Sequence, residues 1–227
     1  MAAFKRGALV AVILLVAGST AGCNLMALPF FLLPGMEPKH DAKFKLASDD
    51  KEKEVRVLIL ATAGLEVRPE FLKIDREISQ MLAVQLQEGF KKNKEKVSII
   101  PTSRVEKYKD EHPNWQSVEL DQIGKSFHAD YVVNLEINSI SLYEPGSSNT
   151  LYRGRAAVSV AVVDVHESTE GPKFRHEYTC EYPRARGPIP AGDSNSAQFR
   201  QAFLTLVAKE LSWLFTSHPV DDDFTCD

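Results

Sequence analysis

Residues 129–166, ADYVVNLEINSISLYEPGSSNTLYRGRAAVSVAVVDVH, decide the fold. Two runs of Val, Ile, Leu and Tyr flank a tip of Glu144, Pro145, Gly146, Ser147, Ser148 and Asn149. Branched and aromatic residues at period two suit a pleated, half-buried surface, and a Pro-Gly-Ser-Asn cluster suits a turn. The stretch therefore predicts a long antiparallel hairpin in the middle of a sheet. In the first arm Tyr131, Val133, Leu135 and Ile137 share a face, whereas Ile140 and Leu142 have the opposite parity. That switch predicts a bulge or twist at Asn138 or Ser139. In the second arm Gly154, between Arg153 and Arg155, predicts another bulge. Ala156, Val158, Val160 and Val162 face one way. Ala157, Ser159, Ala161 and Val163 face the other, where small side chains would let a helix approach closely.

Working outward, residues 55–63 (VRVLILATA) form a near-continuous apolar run, which suits a strand buried on both faces. A helix is expected over 73–92, with Ile74, Ile78, Met81, Leu82, Leu86 and Phe90 on one stripe. Residues 96–100 read as a second strand, stopped by Pro101. Ser103 and Glu106 have the spacing of a capping box for a short helix, and Ser117 is placed to cap the next one. Beyond the hairpin, residues 173–182 predict a strand with Phe174, His176, Tyr178, Cys180 and Tyr182 on one side. A Pro/Gly loop over 183–196 leads to an amphipathic helix over 197–215, capped by Asp193 or Ser194. The order predicts one α+β domain over 54–217: a mixed β-sheet with a long central antiparallel hairpin and helices packed against it.

The N-terminus reads as an address. Lys5 and Arg6 precede an apolar core of ten residues, 8–17, and small residues lead to Cys23. That core is too short for a membrane span, which needs roughly 20 residues, and fits a secretory signal over 1–22. The Ala-Gly-Cys ending resembles a bacterial lipobox, in which the Cys is diacylated, with palmitate among the acyl chains, and becomes the mature N-terminus. The resemblance implies an envelope protein held to the membrane through lipid on Cys23 and facing the periplasm. Asn24 is not the Asp that favours the inner membrane in such lipoproteins, so the outer membrane is expected. Residues 25–36 are apolar but interrupted by Pro29 and Pro34, which argues against one continuous helix. Residues 37–53 mix charges of both signs and read as a solvated part of the 23–53 linker; 218–227 read as an acidic, mobile tail.

Charge narrows the partners. The whole chain carries −4; loss of residues 1–22 removes Lys5 and Arg6 and leaves 25 basic against 31 acidic residues, −6. Mild acidity argues against nucleic acid. With Cys23 assigned to lipid, Cys180 and Cys226 remain as an even pair in an oxidising compartment. They read either as a disulfide that staples the tail to a strand or as a buried Cys180 with a free Cys226.

Two further pieces carry a family resemblance. Ile123-Gly124-Lys125 followed by Ala129-Asp130-Tyr131-Val132-Val133 is similar to a recurring helix-to-strand step. Val162-Val163-Asp164-Val165, with the later turn at Gly171, is similar to a recurring strand end. Both resemble envelope lipoproteins of the group that includes the TolB N-terminal domain, the curli-secretion lipoprotein CsgG and the penicillin-binding-protein activator LpoB. What the resemblance implies is action by protein contact at the cell envelope.

No catalytic signature stands in the sequence: HExxH, GxSxG, the P-loop and GxGxxG are all missing, so neither an enzyme nor a cofactor or metal is expected. His128 and Asp130 straddle a helix-to-strand junction, where capping explains them more simply than ligation. Arg184 and Arg186, in a proline-braced loop, are the candidate partner-binding pair, since the planar guanidinium fork suits carboxylates. Tyr143 and Tyr152 flank the hairpin tip and are the other candidates; the plainer reading is cross-strand packing. The expected function is a non-enzymatic adaptor lipoprotein that binds an envelope protein. The alternative is an oligomeric subunit of an outer-membrane secretion or channel assembly, which would need strands with apolar outward faces.

Overall fold

The computed structural model describes residues 38–50, 52–64, 69–167 and 171–220, and the fold is that of the unit beginning at His40. The leader, Cys23, the apolar run after it, Cys226 and the acidic triplet lie outside the described residues. Strand β1 (Val55–Ala63) is the first central element. It pairs in parallel with the short β2 (Val97–Ile99) on one side and with β3 (Tyr131–Tyr143) on the other. The hairpin continues from β3 into β4 (Leu151–Asp164), antiparallel as expected, and β5 (Phe174–Tyr182) pairs with the outer side of β4. The order is therefore β2-β1-β3-β4-β5, and a two-residue strand, β6 (Ile189–Pro190), meets β4 at Leu151 and Tyr152. The fold class is the expected α+β, a mixed sheet with helices against it.

Both expected bulges are present. Ile137 pairs with Val158 and Ser139 with Ala157, so Asn138 is the extra residue on β3. Ser141 pairs with Arg155 and Tyr143 with Tyr152, which puts the second irregularity on β4 at Arg153 and Gly154. The first bulge turns Ile140 and Leu142 back toward the same core as Val133 and Leu135. The second brings Gly154 under a helix: a Cβ there would lie 2.6 Å from the ring carbons of Phe203.

The main core lies on one face of the sheet, under α1 (Ile74–Asn93) and a long C-terminal helix over residues 196–213. Ile78, Leu82, Leu86 and Phe90 meet Phe203, Val207 and Leu211 above Val57, Val133 and Val160. On the opposite face α2 (Thr102–Glu111), a tight turn at Trp115–Ser117 and α3 (Leu120–Ser126) bury Leu58, Leu60, Val132 and Val163. The C-terminal helix, Ser196–Trp213, is α4. Among the described residues no helix covers the rest of that second face, contrary to what Ala157, Ser159 and Ala161 suggested. The reason is polarity. Asn138 Nδ2 donates to Ser159 Oγ at 2.7 Å, and Ser159 Oγ donates to Glu177 Oε2 at 2.8 Å.

Local signals were overridden where charges found better partners. Neither Ser103 nor Ser117 caps a helix by its side chain; Glu106 binds Arg76 at 2.7 Å and Lys109 at 3.1 Å instead of closing a capping box. The cap of α4 is Asn195, whose Oδ1 accepts from Ala197 N and Gln198 N, not Asp193 or Ser194. The charged segment expected to be solvated also contributes packing. Leu46 is fully buried, Phe44 packs on Tyr131 and Phe174, and Phe44 N–H donates to Leu214 O at 2.9 Å. Burying one Leu stabilises by about 1.5–3 kcal/mol, which offsets part of the entropy cost of ordering the segment. Among the described residues no helix is long and apolar enough to cross a membrane.

Candidate binding cleft

Glu210 is a charged residue buried to 7% exposure. Helix α4 places it there because its apolar stripe repeats at 3.6 residues: Phe203, Val207 and Leu214 are in phase with position 210. Strand alternation supplies its neighbours, since His176, Tyr178 and Cys180 share one side of β5. After a cis Tyr182–Pro183 bond the loop brings in Arg184. Glu210 Oε2 accepts from the Tyr178 hydroxyl at 2.8 Å and from Arg184 Nη2 at 2.6 Å. Glu210 Oε1 is also buried and has no hydrogen-bond partner among the described residues. Burying a polar atom without a partner is costly, so such an atom asks for a ligand or a water.

These groups line a cleft of about 370 Å³, completed by His40, Asp41, Lys43, Trp213 and His218. Its rim is ordered by aromatic contacts: Trp213 stacks on His218 at 4.3 Å, with Lys209 Nζ 5.2 Å from the Trp213 ring centre. Lys43 Nζ lies 3.3 Å from His176 Nε2. Burial, together with the nearby Lys43 charge, lowers the His176 pKa and keeps its ring neutral at pH 7. Burial first, then Cys180 and Glu210, raises the Tyr178 phenol far above its ordinary range, so it stays a donor. Burial pushes the Cys180 thiol up to about 11, with Glu210 adding to the rise and Arg184 opposing it. Burial works against the Arg184 charge, but Glu210 outweighs it and raises the Arg184 pKa.

The sequence candidates fall in different places. Arg184 belongs to the cleft but is bound by Glu210, with 43% of its side chain exposed. Arg186 is exposed on the loop and is not part of the cleft lining. Tyr143 and Tyr152 do not present themselves to a partner together. Tyr152 is buried and stacks between Tyr143, at 5.2 Å, and Phe199, at 4.9 Å, which is cross-strand and core packing. Cys180 is a buried free thiol; Cys226, its mate in one of the two sequence readings, lies outside the described residues. His128 takes a left-handed φ of 55° after α3, and Asp130 is committed elsewhere. Asp130 Oδ2 accepts the Arg56 backbone N–H at 2.8 Å and Oδ1 lies 3.1 Å from His166 Nε2. Among the described residues no group of three His, Cys, Asp or Glu is placed to hold a metal ion. Glu210 was missed by the sequence reading. The signal for it was available: a carboxylate in phase with the apolar stripe of the last helix.

A larger hollow of about 460 Å³ lies between the end of β1 and the Trp115 turn, lined by Thr62, Glu119, Asn134 and Glu136 among others. None of those four polar side chains is buried.

No protein-family model and no curated protein matches the chain. Solved structures with a similar outline include a PelC dodecamer from Paraburkholderia phytofirmans, at 15% identity over 80% of this chain and 100% of that one, with a TM-score of 0.45. The lipoprotein GNA1162 from Neisseria meningitidis aligns at 12% identity over 69% of this chain and 96% of that one, with a TM-score of 0.42. The protein XCC0632 from Xanthomonas campestris aligns at 11% identity over 77% and 90%, with a TM-score of 0.40. None of these three is a TolB, CsgG or LpoB protein, and at such scores the likeness assigns neither family nor function.

Proposed function

We propose that the chain is a bacterial envelope lipoprotein, tethered through a diacylated Cys23, that faces the periplasm and works by binding another envelope protein. The leader supports the tether: Lys5 and Arg6, a ten-residue apolar core and the Ala-Gly-Cys ending. Asn24 supports the outer membrane as its place. The observation that carries the binding reading is Glu210, a buried carboxylate with one unpartnered oxygen that lines a surface cleft beside an edge strand. The adaptor reading is favoured over membrane-spanning strands because the uncovered face of the hairpin carries Asn134, Glu136, Asn138 and Ser159, and polar side chains facing lipid are costly.

The test is a pull-down from chemically crosslinked envelopes with the lipidated wild type and a Glu210→Gln variant. A discrete second protein, retained by wild type and lost in the variant, is expected. Rings of self-crosslinked chain with no second protein would overturn the adaptor in favour of the oligomeric secretion subunit. A Cys23→Ser chain is expected in the soluble periplasmic fraction; one that stays with the membrane would refute the lipid tether.

A further inference from the structure

We propose that the Glu210 cleft is a carboxamide site, filled by an Asn or Gln side chain of an extended partner segment lying along β5. This rests on the protein-binding reading above. The argument begins with charge. Glu210 Oε1 is a buried acceptor, so its ligand must bring a hydrogen-bond donor. A cationic donor would come beside Arg184, already 2.6 Å from the same carboxylate, and beside the Lys43 ammonium that lines the cleft. An anionic ligand would face the buried Glu210 itself and Asp41, so the lining carries two groups of each sign. His176 adds no charge at neutral pH. An uncharged group therefore fits best. A carboxamide brings an N–H for Glu210 Oε1 and a carbonyl oxygen for the exposed Lys43 ammonium, and so suits both signs of charge in the lining.

The strand edge identifies what carries that group. Strand β5 is nine residues long, ends the sheet, and among the described residues pairs with β4 alone. An open edge of that length is a template for an added strand. Alternate residues of β5, His176 and Tyr178, line the cleft. A segment paired to this edge would point every second side chain of its own toward the same side. A cleft of about 370 Å³ has room for one such side chain.

The test uses the full-length lipidated chain, ¹⁵N-labelled, in detergent micelles. Three small probes are titrated while the two indole N–H signals are followed. Trp213 lines the cleft, whereas Trp115 packs against the opposite face of the sheet and serves as the internal reference. Acetamide is expected to shift the Trp213 signal saturably and leave Trp115 in place. N,N-dimethylacetamide, which has no N–H, and methylammonium, which is charged, are expected to do neither. Glu210→Gln should raise the acetamide Kd about tenfold, the size of one lost hydrogen bond to a charged group. Lys43→Met, an exposed position whose substitution leaves the core alone, should raise it about threefold, as a weaker solvent-facing contact. Absence of a saturable shift, an equal response to dimethylacetamide, or a preference for methylammonium would each overturn the proposal. If Glu210→Gln does not fold, the probe series and Lys43→Met still decide. In the intact envelope, a photo-crosslinker at Thr179, exposed on β5, is expected to capture a partner segment that contains Asn or Gln; capture of a segment without either would also overturn it. Acetamide binding without a captured partner would remove the adaptor and leave the site. A captured partner without acetamide binding would do the reverse.

Discussion

Replacing Arg184 by Ala is expected to weaken the fold through Glu210, and the size of the effect follows from the geometry. Glu210 Oε2 holds two donors, Arg184 Nη2 at 2.6 Å and the Tyr178 hydroxyl at 2.8 Å, while Oε1 holds none among the described residues. Removing Arg184 leaves a buried carboxylate with a single neutral donor. A hydrogen bond to a charged group contributes about 1.5–3 kcal/mol when both partners are buried. Arg184 keeps 43% of its side chain in water, so screening reduces this to about 1–2 kcal/mol. Tyr178→Phe should cost about 1 kcal/mol, the loss of one ordinary hydrogen bond. The decisive comparison is a double-mutant cycle with Glu210→Gln, which keeps the shape of the side chain and removes its charge. Arg184→Ala should cost about 1 kcal/mol less in that background than in the wild type. Urea unfolding of the chain lacking its first 23 residues, read at constant m-value, measures all four corners. Equal costs of Arg184→Ala in both backgrounds, or a cost within about 0.3 kcal/mol of zero, would refute the pairing as the reason for Arg184's position. The outcome also bears on any binding experiment. An Arg184→Ala or Glu210→Gln chain that loses a partner has also lost the ion pair at the same place, so Lys43→Met is the cleaner probe of the surface.

Gly154→Ala should destabilise by about 1–3 kcal/mol by pressing a methyl group into the buried Phe203 ring, 2.6 Å away, and Phe203→Leu should recover part of that loss; additive costs in urea unfolding would contradict the contact. Asn195→Ala should remove the side-chain cap of α4 and lower stability by about 1 kcal/mol, with Asp193→Ala and Ser194→Ala near neutral; the three thermal midpoints decide. With its thiol at about 11, Cys180 should react with a disulfide reagent at pH 8 far more slowly in the folded chain than in urea, and the rate should climb with pH up to that value; equal rates folded and unfolded would show that it is not buried. His176 has its pKa lowered by folding, so the unfolded chain binds the extra proton first. Its contribution to stability is complete above the ordinary value of 6.5 and is lost as pH falls from there through the folded value. A His176→Gln chain should show a flatter stability profile below pH 6.5, and an unchanged profile would exclude this residue as a source of the slope.

The parts of this molecule that were legible in its sequence are those fixed by local periodicity. Alternation over 129–166 gave the hairpin, and the broken parity at Ile140 put a bulge at Asn138 or Ser139, of which Asn138 is the extra residue. What remained illegible was decided by partners distant in sequence. Glu106 had the spacing of a capping box, yet Arg76, thirty residues away, offered a full charge at 2.7 Å where the helix end offered only backbone N–H groups. Arg184 had every local mark of a presented recognition residue, but a carboxylate twenty-six residues further on was already waiting for it. The same logic explains Tyr152. A tyrosine beside a hairpin tip looks available until Phe199 closes over it, and no pattern within the hairpin encodes that. The one long-range feature the sequence did carry was a breach of its own rule. Position 210 lies in phase with Phe203, Val207 and Leu214, so the helix is bound to bury a carboxylate there. A buried carboxylate requires a partner for each oxygen, and the described residues provide donors to only one of them. The function of this protein is therefore best sought where the apolar pattern fails, at the end of α4, and not at the charged loop that the sequence displays most openly.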